Sequence, residues 1–108
     1  MNRPSADPLI DLSDRHGDYT QEEHAYAQGK AERLCHFFRR TQSMHVTLWK
    51  EHDDEIAKIV AHTPERGVLV AEVSSPSIRA SVDQVYERME RELTRTKERF
   101  EKRGRASA

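Results

Sequence analysis

Between Ile78 and Arg103 the side chains sort, at helical spacing, into three stripes rather than the usual two. Ile78, Val82, Val85, Met89, Leu93 and Phe100 recur at three, four and seven residues, which places them on one face of a helix. At roughly 100° per residue, Arg88, Arg91, Arg95, Arg99 and Lys102 form a second stripe about 120° from the first. Asp83, Glu87, Glu90, Glu98 and Glu101 cluster beyond it. Such a helix needs a layer under its apolar stripe, and its segregated arginines offer a line of positive charge to a polyanion.

The preceding residues supply that layer. Leu9 to Arg15 alternates Ile10 and Leu12 with Asp11 and Ser13, a short strand signal. Thr20 and Glu23 form a capping box that starts a helix, whose buried side carries Ala27, Ala31, Leu34 and Phe38, with Lys30, Arg33 and Arg40 along one flank. Cys35, at the margin of that apolar side, reads as a small buried hydrophobe. Gly29 costs this helix about 1 kcal/mol relative to alanine, so packing must hold it. Met44 to Trp49 alternates cleanly, and two runs rich in Val, Ile and Leu follow, Ile56 to His62 and Val68 to Val73. Glu51 to Asp54 and Thr63 to Gly67 are the turns that join these three strands into an antiparallel meander. Ser75 or Ser77 caps the last helix. The expected class is α+β, in the order strand, helix, three strands, helix (β-α-β-β-β-α), with one sheet carrying both helices on one face. The other face is left for solvent or a partner.

At 108 residues the chain fits a single domain, with an ordered core from about 9 to 103 and flexible ends at Met1 to Asp7 and Gly104 to Ala108. The net charge of −1 hides an asymmetry: from Ile78 onward there are 9 Lys/Arg against 6 Asp/Glu, and before it 9 against 13. Bulk charge would therefore miss a nucleic-acid surface. A single cysteine cannot form an intramolecular disulfide, and no leader with an apolar stretch and cleavage site is evident, which fits a reducing cytoplasm. No run of about 18 apolar residues spans a membrane.

Catalytic signatures are missing: there is no glycine-rich phosphate loop, G-x-S-x-G elbow or H-E-x-x-H pair. Asp53-Asp54-Glu55 reads as a solvated turn. His45, His52 and His62 match no compact zinc spacing. The reading is a binding protein with no cofactor, no metal, no catalytic residues and no small-molecule substrate. Trp49 shares a strand face with His45, where it either stacks on a base or covers the edge of the sheet.

Short matches laid along this order resemble the ribosome hibernation promoting factor family, which includes the ribosome-associated inhibitor of stationary phase. Leu12-Ser13-Asp14-Arg15-His16 through Thr20 is similar to the family's first strand and its exit into a threonine-capped helix. Lys30, Arg33, Leu34, Phe37 and Phe38 stand where that helix carries two basic residues, a leucine and an aromatic pair. Ile78-Arg79-Ala80-Ser81-Val82-Asp83 resembles the entry to the last helix, with Arg79 in place of a tyrosine and Pro76-Ser77 in place of an acidic pair. Arg88, Met89, Arg91, Leu93, Arg95, Lys97 and Arg99 follow the family's alternation of basic and apolar positions. Ending after this helix, the chain resembles the family's short form, which lacks a ribosome-dimerising second domain.

The resemblance implies a cytoplasmic protein, monomeric when free, that binds the small ribosomal subunit between head and body. There it overlaps the sites of messenger and transfer RNA and silences ribosomes in stress or stationary phase. The implied RNA-binding residues are Lys30, Arg33, Arg88, Arg91, Arg95, Lys97, Arg99 and Lys102. Two parallel helices are expected to bring Lys30 and Arg33 beside the arginine stripe as one continuous positive surface, with the acidic stripe turned away. The stripe's ordinary alternative is a solvated face with ion pairs such as Glu87 to Arg91 and Glu98 to Lys102. Two other functions fit the same elements: a generic double-stranded RNA binder, and a protein-interaction module that regulates a transcription factor through the open sheet face around Trp49.

Overall fold

The computed structural model describes residues 8–107, with the side chains of residues 100 and 102–107 outside the described set. Its elements are β1 (Leu9–Asp14), α1 (Gln21–Phe37), β2 (Ser43–Glu51), β3 (Asp54–Thr63), β4 (Gly67–Ser75) and α2 (Ile78–Ser107), the expected α+β order. Residues 1–7, read from sequence as a flexible end, lie outside the described residues. At the other end α2 continues past Arg103, where the sequence reading stops the ordered core. One glycine, Gly104, costs a helix only about 1 kcal/mol and does not by itself end it.

The sheet order is β1-β2-β3-β4. β2, β3 and β4 form the antiparallel meander, while β1 pairs parallel to β2, with α1 as the crossover between them. Register aligns three rows on one face: Ile10, Met44, Ala61 and Leu69; Leu12, Val46, Ile59 and Ala71; Asp14, Leu48, Ala57 and Val73. The apolar residues of β2, β3 and β4 in these rows are buried, and those of β1 are half-buried against the same core. α1 lies against β1 and β2, and α2 against β3 and β4. From α1 the core takes Ala27, Ala31, Leu34 and Cys35; from α2 it takes Ile78, Val82, Val85, Met89 and Leu93. Phe100, the last member of the expected apolar stripe, has a side chain outside the described set.

Polar contacts fix how these layers meet. The Thr20 capping box forms as expected, and the backbone N–H of Ala80 donates to Ser77 Oγ at the start of α2. Ser75 does different work: its hydroxyl lies 2.6 Å from that of the fully buried Ser81, which donates to the Glu55 carbonyl at 2.6 Å. The first turn of α2 is thereby tied to both β3 and β4. Tyr86, also buried, donates to the Ala27 carbonyl at 2.9 Å and joins the two helices. Arg66, in the β3–β4 turn, donates to Glu92 at 3.0 Å and to Thr96 at 3.4 Å. Gly67 closes that turn at φ 72°, a left-handed conformation that glycine adopts without steric cost.

Asp14 organises the chain between β1 and α1. Its carboxylate accepts from the backbone N–H groups of Gly17, Asp18 and Tyr19 at 2.9 to 3.2 Å and lies 2.8 Å from His24 Nε2. Burial alone would raise its pKa, but the His24 contact and the three backbone donors hold it below the usual carboxylate value. This segment is read in the sequence as a simple exit from a strand, and it is a tightly bonded anion cradle.

Candidate nucleic-acid interface

The arginine stripe survives as a continuous exposed row. Arg88, Arg91, Arg95 and Arg99 are all exposed and extend over about 16 Å of helix axis at 1.5 Å per residue. Arg88 Nη1 donates to the carbonyl of Glu72 at 3.1 Å, which places the row on the β4 flank of α2. Arg95 meets Glu92 at 2.9 Å, a carboxylate it shares with Arg66. Arg91 and Arg99 have no ion pair among the described residues. Glu87 and Arg91 do not form the i to i+4 pair that a merely solvated helix would favour, and Lys102, with its pair to Glu98, lies outside the described side chains.

Lys30 and Arg33 are not beside that row. They face the acidic stripe instead, across a shallow cleft between the helices that Asp83, Glu87 and Glu90 line from the α2 side. Lys30 Nζ lies 3.3 Å from Asp83 Oδ1, and the Tyr26 hydroxyl donates to the same oxygen. Arg79 caps the arrangement, its guanidinium carbon 4.0 Å from the centre of the Tyr26 ring, with Lys30 at 5.3 Å. The Tyr26 hydrogen bond leads, desolvation opposes, and Lys30 and Arg79 assist in holding the Asp83 pKa below its ordinary value. Acidic residues therefore interrupt the expected continuous positive surface: Asp83, Glu87 and Glu90 face α1 rather than turning away, while Glu98 and Glu101 stay exposed. Tyr86 explains why: this large side chain widens the apolar face of α2 toward Asp83 and Glu90, so α1 packs on that side.

Lys97 belongs to a third group. It lines a groove at the far end of the core with Arg39 and Arg40, residues that follow α1, rather than joining the arginine row. The eight expected RNA-binding positions thus divide among the row, the interhelical cleft, the end groove and, for Lys102, a side chain outside the described set.

On the open sheet face Trp49 is 7% exposed, beside its register partner Ile56 and under the Arg15 guanidinium, whose carbon lies 4.0 Å from the ring centre. Its surface is covered rather than presented for base stacking. His45 and His62 meet edge to face at 5.9 Å, with Asp11 3.5 Å from His45 Nδ1, while His52 sits in the β2–β3 turn. No group of three or more potential metal ligands converges among the described residues. No helix among them is long and apolar enough to cross a membrane. Burial pushes the Cys35 thiol up to about 11.

The family model for Sigma 54 modulation protein / S30EA ribosomal protein matches residues 10–101, a span that contains α1 and β2 to β4 whole and most of β1 and α2. The chain belongs to this family. The S30EA fold recurs in a ribosomal subunit interface protein from Coxiella burnetii, at TM-score 0.72 and 16% identity over 82% of this chain and 97% of that one. It recurs also in the Thermus thermophilus Protein Y N-terminal domain, at TM-score 0.69 and 21% identity, with the same two coverages. No curated protein sequence matches the chain significantly. Within this S30EA chain, Tyr26, Arg39 and Tyr86 shape the candidate surfaces without being anticipated in that role. The signal for Tyr86 was present, because it extends the apolar stripe by one position toward the acidic side.

Proposed function

We propose that this chain is a ribosome-associated, hibernation-type factor. It binds the small ribosomal subunit through ribosomal RNA in the channel used by messenger and transfer RNA, and it silences translation in stress or stationary phase. The single observation that carries this reading is the exposed arginine row of α2, in which Arg91 and Arg99 form no ion pair among the described residues. Membership of the S30EA family supports a ribosomal partner. Arginine suits the task because its planar fork grips phosphate oxygens through two hydrogen bonds, and a row of such forks reads backbone shape without base sequence. The protein acts in the cytoplasm, as a monomer when free, by binding and not by catalysis.

The row from Arg88 to Arg99 is the principal phosphate surface; Lys30, already neutralised by Asp83, contributes less than its charge suggests. Co-sedimentation with small subunits tests the proposal. The triple variant Arg88→Glu, Arg91→Glu, Arg95→Glu should keep its circular dichroism spectrum and lose pelleting by tenfold or more, on the order of 1.4 kcal/mol or greater. Unchanged pelleting of that variant would remove the row from the interface.

A second reading draws on the open sheet face, where Leu9, Val68 and Val70 are 64%, 54% and 56% exposed. The family description pairs a ribosomal protein with a modulator of sigma 54, so a transcription-factor partner on this face is the alternative. Capture of sigma 54 after nuclease treatment, with no ribosome binding, would favour it. Tight binding to plain duplex RNA without ribosome binding would instead indicate a generic double-stranded RNA module.

A further inference from the structure

The groove at the end of the core has features that packing does not explain. Its volume is 320 Å³, at the lower end of the range for small-molecule sites of roughly 300–1,000 Å³. Phe37, Phe38 and Leu93 give its lining an apolar part, beside three threonines and five charged residues. Phe37 is 63% exposed, the only large apolar side chain on the helix layer left in solvent among the described residues; the other three lie on the strands. Thr41 lines the same groove, and its hydroxyl is buried without a hydrogen-bond partner among the described residues. A buried hydroxyl left unpaired costs about 1–3 kcal/mol, so a ligand that supplies its partner recovers that penalty.

The rim is cationic. Arg39, Arg40 and Lys97 outnumber the two carboxylates of the lining, Glu65 and Glu101; Arg40 is engaged with Glu65, whereas Arg39 and Lys97 form no ion pair among the described residues. An apolar slot with an exposed aromatic ring, an unsatisfied hydroxyl and two uncommitted cations matches a flat heteroaromatic group that carries a phosphate. We propose that this groove binds a single unstacked nucleotide. The base lies against the Phe37 ring and bonds the Thr41 hydroxyl, and the phosphate lies against Arg39 and Lys97. The inference deepens the RNA-binding reading and rests on it for the source of the nucleotide, an unpaired base of an RNA strand. A free nucleotide offers the same chemistry.

The test is a ¹H–¹⁵N and aromatic NMR titration of the full chain with AMP, with single-stranded oligoadenylate and with inorganic phosphate. Saturable shifts at Phe37, Thr41 and Lys97 with AMP are expected, weakened roughly tenfold by Phe37→Ala, which removes one stacking surface. Thr41→Val should weaken AMP binding by several-fold while leaving any phosphate binding unchanged. Tighter binding of oligoadenylate than of AMP at the same resonances supports the RNA source, and the reverse order supports a free nucleotide. No shift with either, or shifts that inorganic phosphate alone reproduces, would overturn the inference. So would nuclear Overhauser contacts showing that Phe100 of the chain itself closes the groove. Ribosome pelleting of the same samples separates the two claims: pelleting without nucleotide shifts sinks the groove alone, and nucleotide shifts without pelleting sink the ribosomal reading alone.

Discussion

Asp14 shows how much a single side chain organises here. Three backbone N–H groups and His24 converge on it at the turn from β1 into α1. Hydrogen bonds to a charged acceptor contribute about 1.5–3 kcal/mol each in favourable cases, so Asp14→Asn should destabilise the fold by a few kcal/mol in urea denaturation. The sign with pH follows from the depressed pKa values of Asp14 and Asp83. Their stabilisation is fully present above the unfolded carboxylate pKa, about 3.9, and is lost as pH falls through the lower folded values. Urea midpoints measured from pH 6 downward should therefore fall through that window, and Asp14→Asn should flatten the fall. Gly29 gives the opposite prediction. A Cβ there meets nothing within 4 Å, so Gly29→Ala should raise stability by about 0.5–1 kcal/mol, read from the same urea midpoints.

At the scale of elements, α2 separates what a sequence can disclose from what it cannot. Periodicity assigns the apolar, basic and acidic stripes, because each depends only on the helix's own repeat. Ile78, Val82, Val85, Met89 and Leu93 are buried where it places them. The flank that faces α1 depends on a second element, and only the Tyr86 side chain announces it. Ser81 and Thr96 are buried too, yet as polar residues they fall outside any hydrophobic pattern; Ser81 is satisfied by the Glu55 carbonyl of β3, and Thr96 by the Glu92 carbonyl one turn back in its own helix. The parallel pairing of β1 with β2 was equally silent, since alternation marks a strand but not its direction. Because the cleft pairs Lys30 with Asp83, charge removal there differs from removal on the row. Lys30→Gln with Arg33→Gln should weaken ribosome binding by less than threefold in a pelleting titration, on the order of 0.6 kcal/mol, well short of the arginine-row triple variant.

For the whole molecule, the sheet and its helix layer divide the surface into regions of different character. One flank carries an arginine row, the interhelical cleft is mixed in charge, the end groove is apolar with a basic rim, and the open sheet face exposes Leu9, Val68 and Val70. A net charge of −1 therefore coexists with a locally cationic edge. Family membership and geometry bear on separate parts of the account: the S30EA match points to a ribosomal partner, and the row points to the chemistry of contact. Four arginines that neutralise four phosphates should give binding whose logarithm falls with the logarithm of salt at a slope of about −3 to −4.

That slope, measured as the affinity for isolated small ribosomal subunits between low and moderate salt, tests the account most directly. A steep fall in the parent chain, reduced by about one for each arginine of the row replaced with glutamine, is the predicted result. Binding that is insensitive to salt, or a slope unchanged when Arg88, Arg91 and Arg95 are replaced, would contradict it.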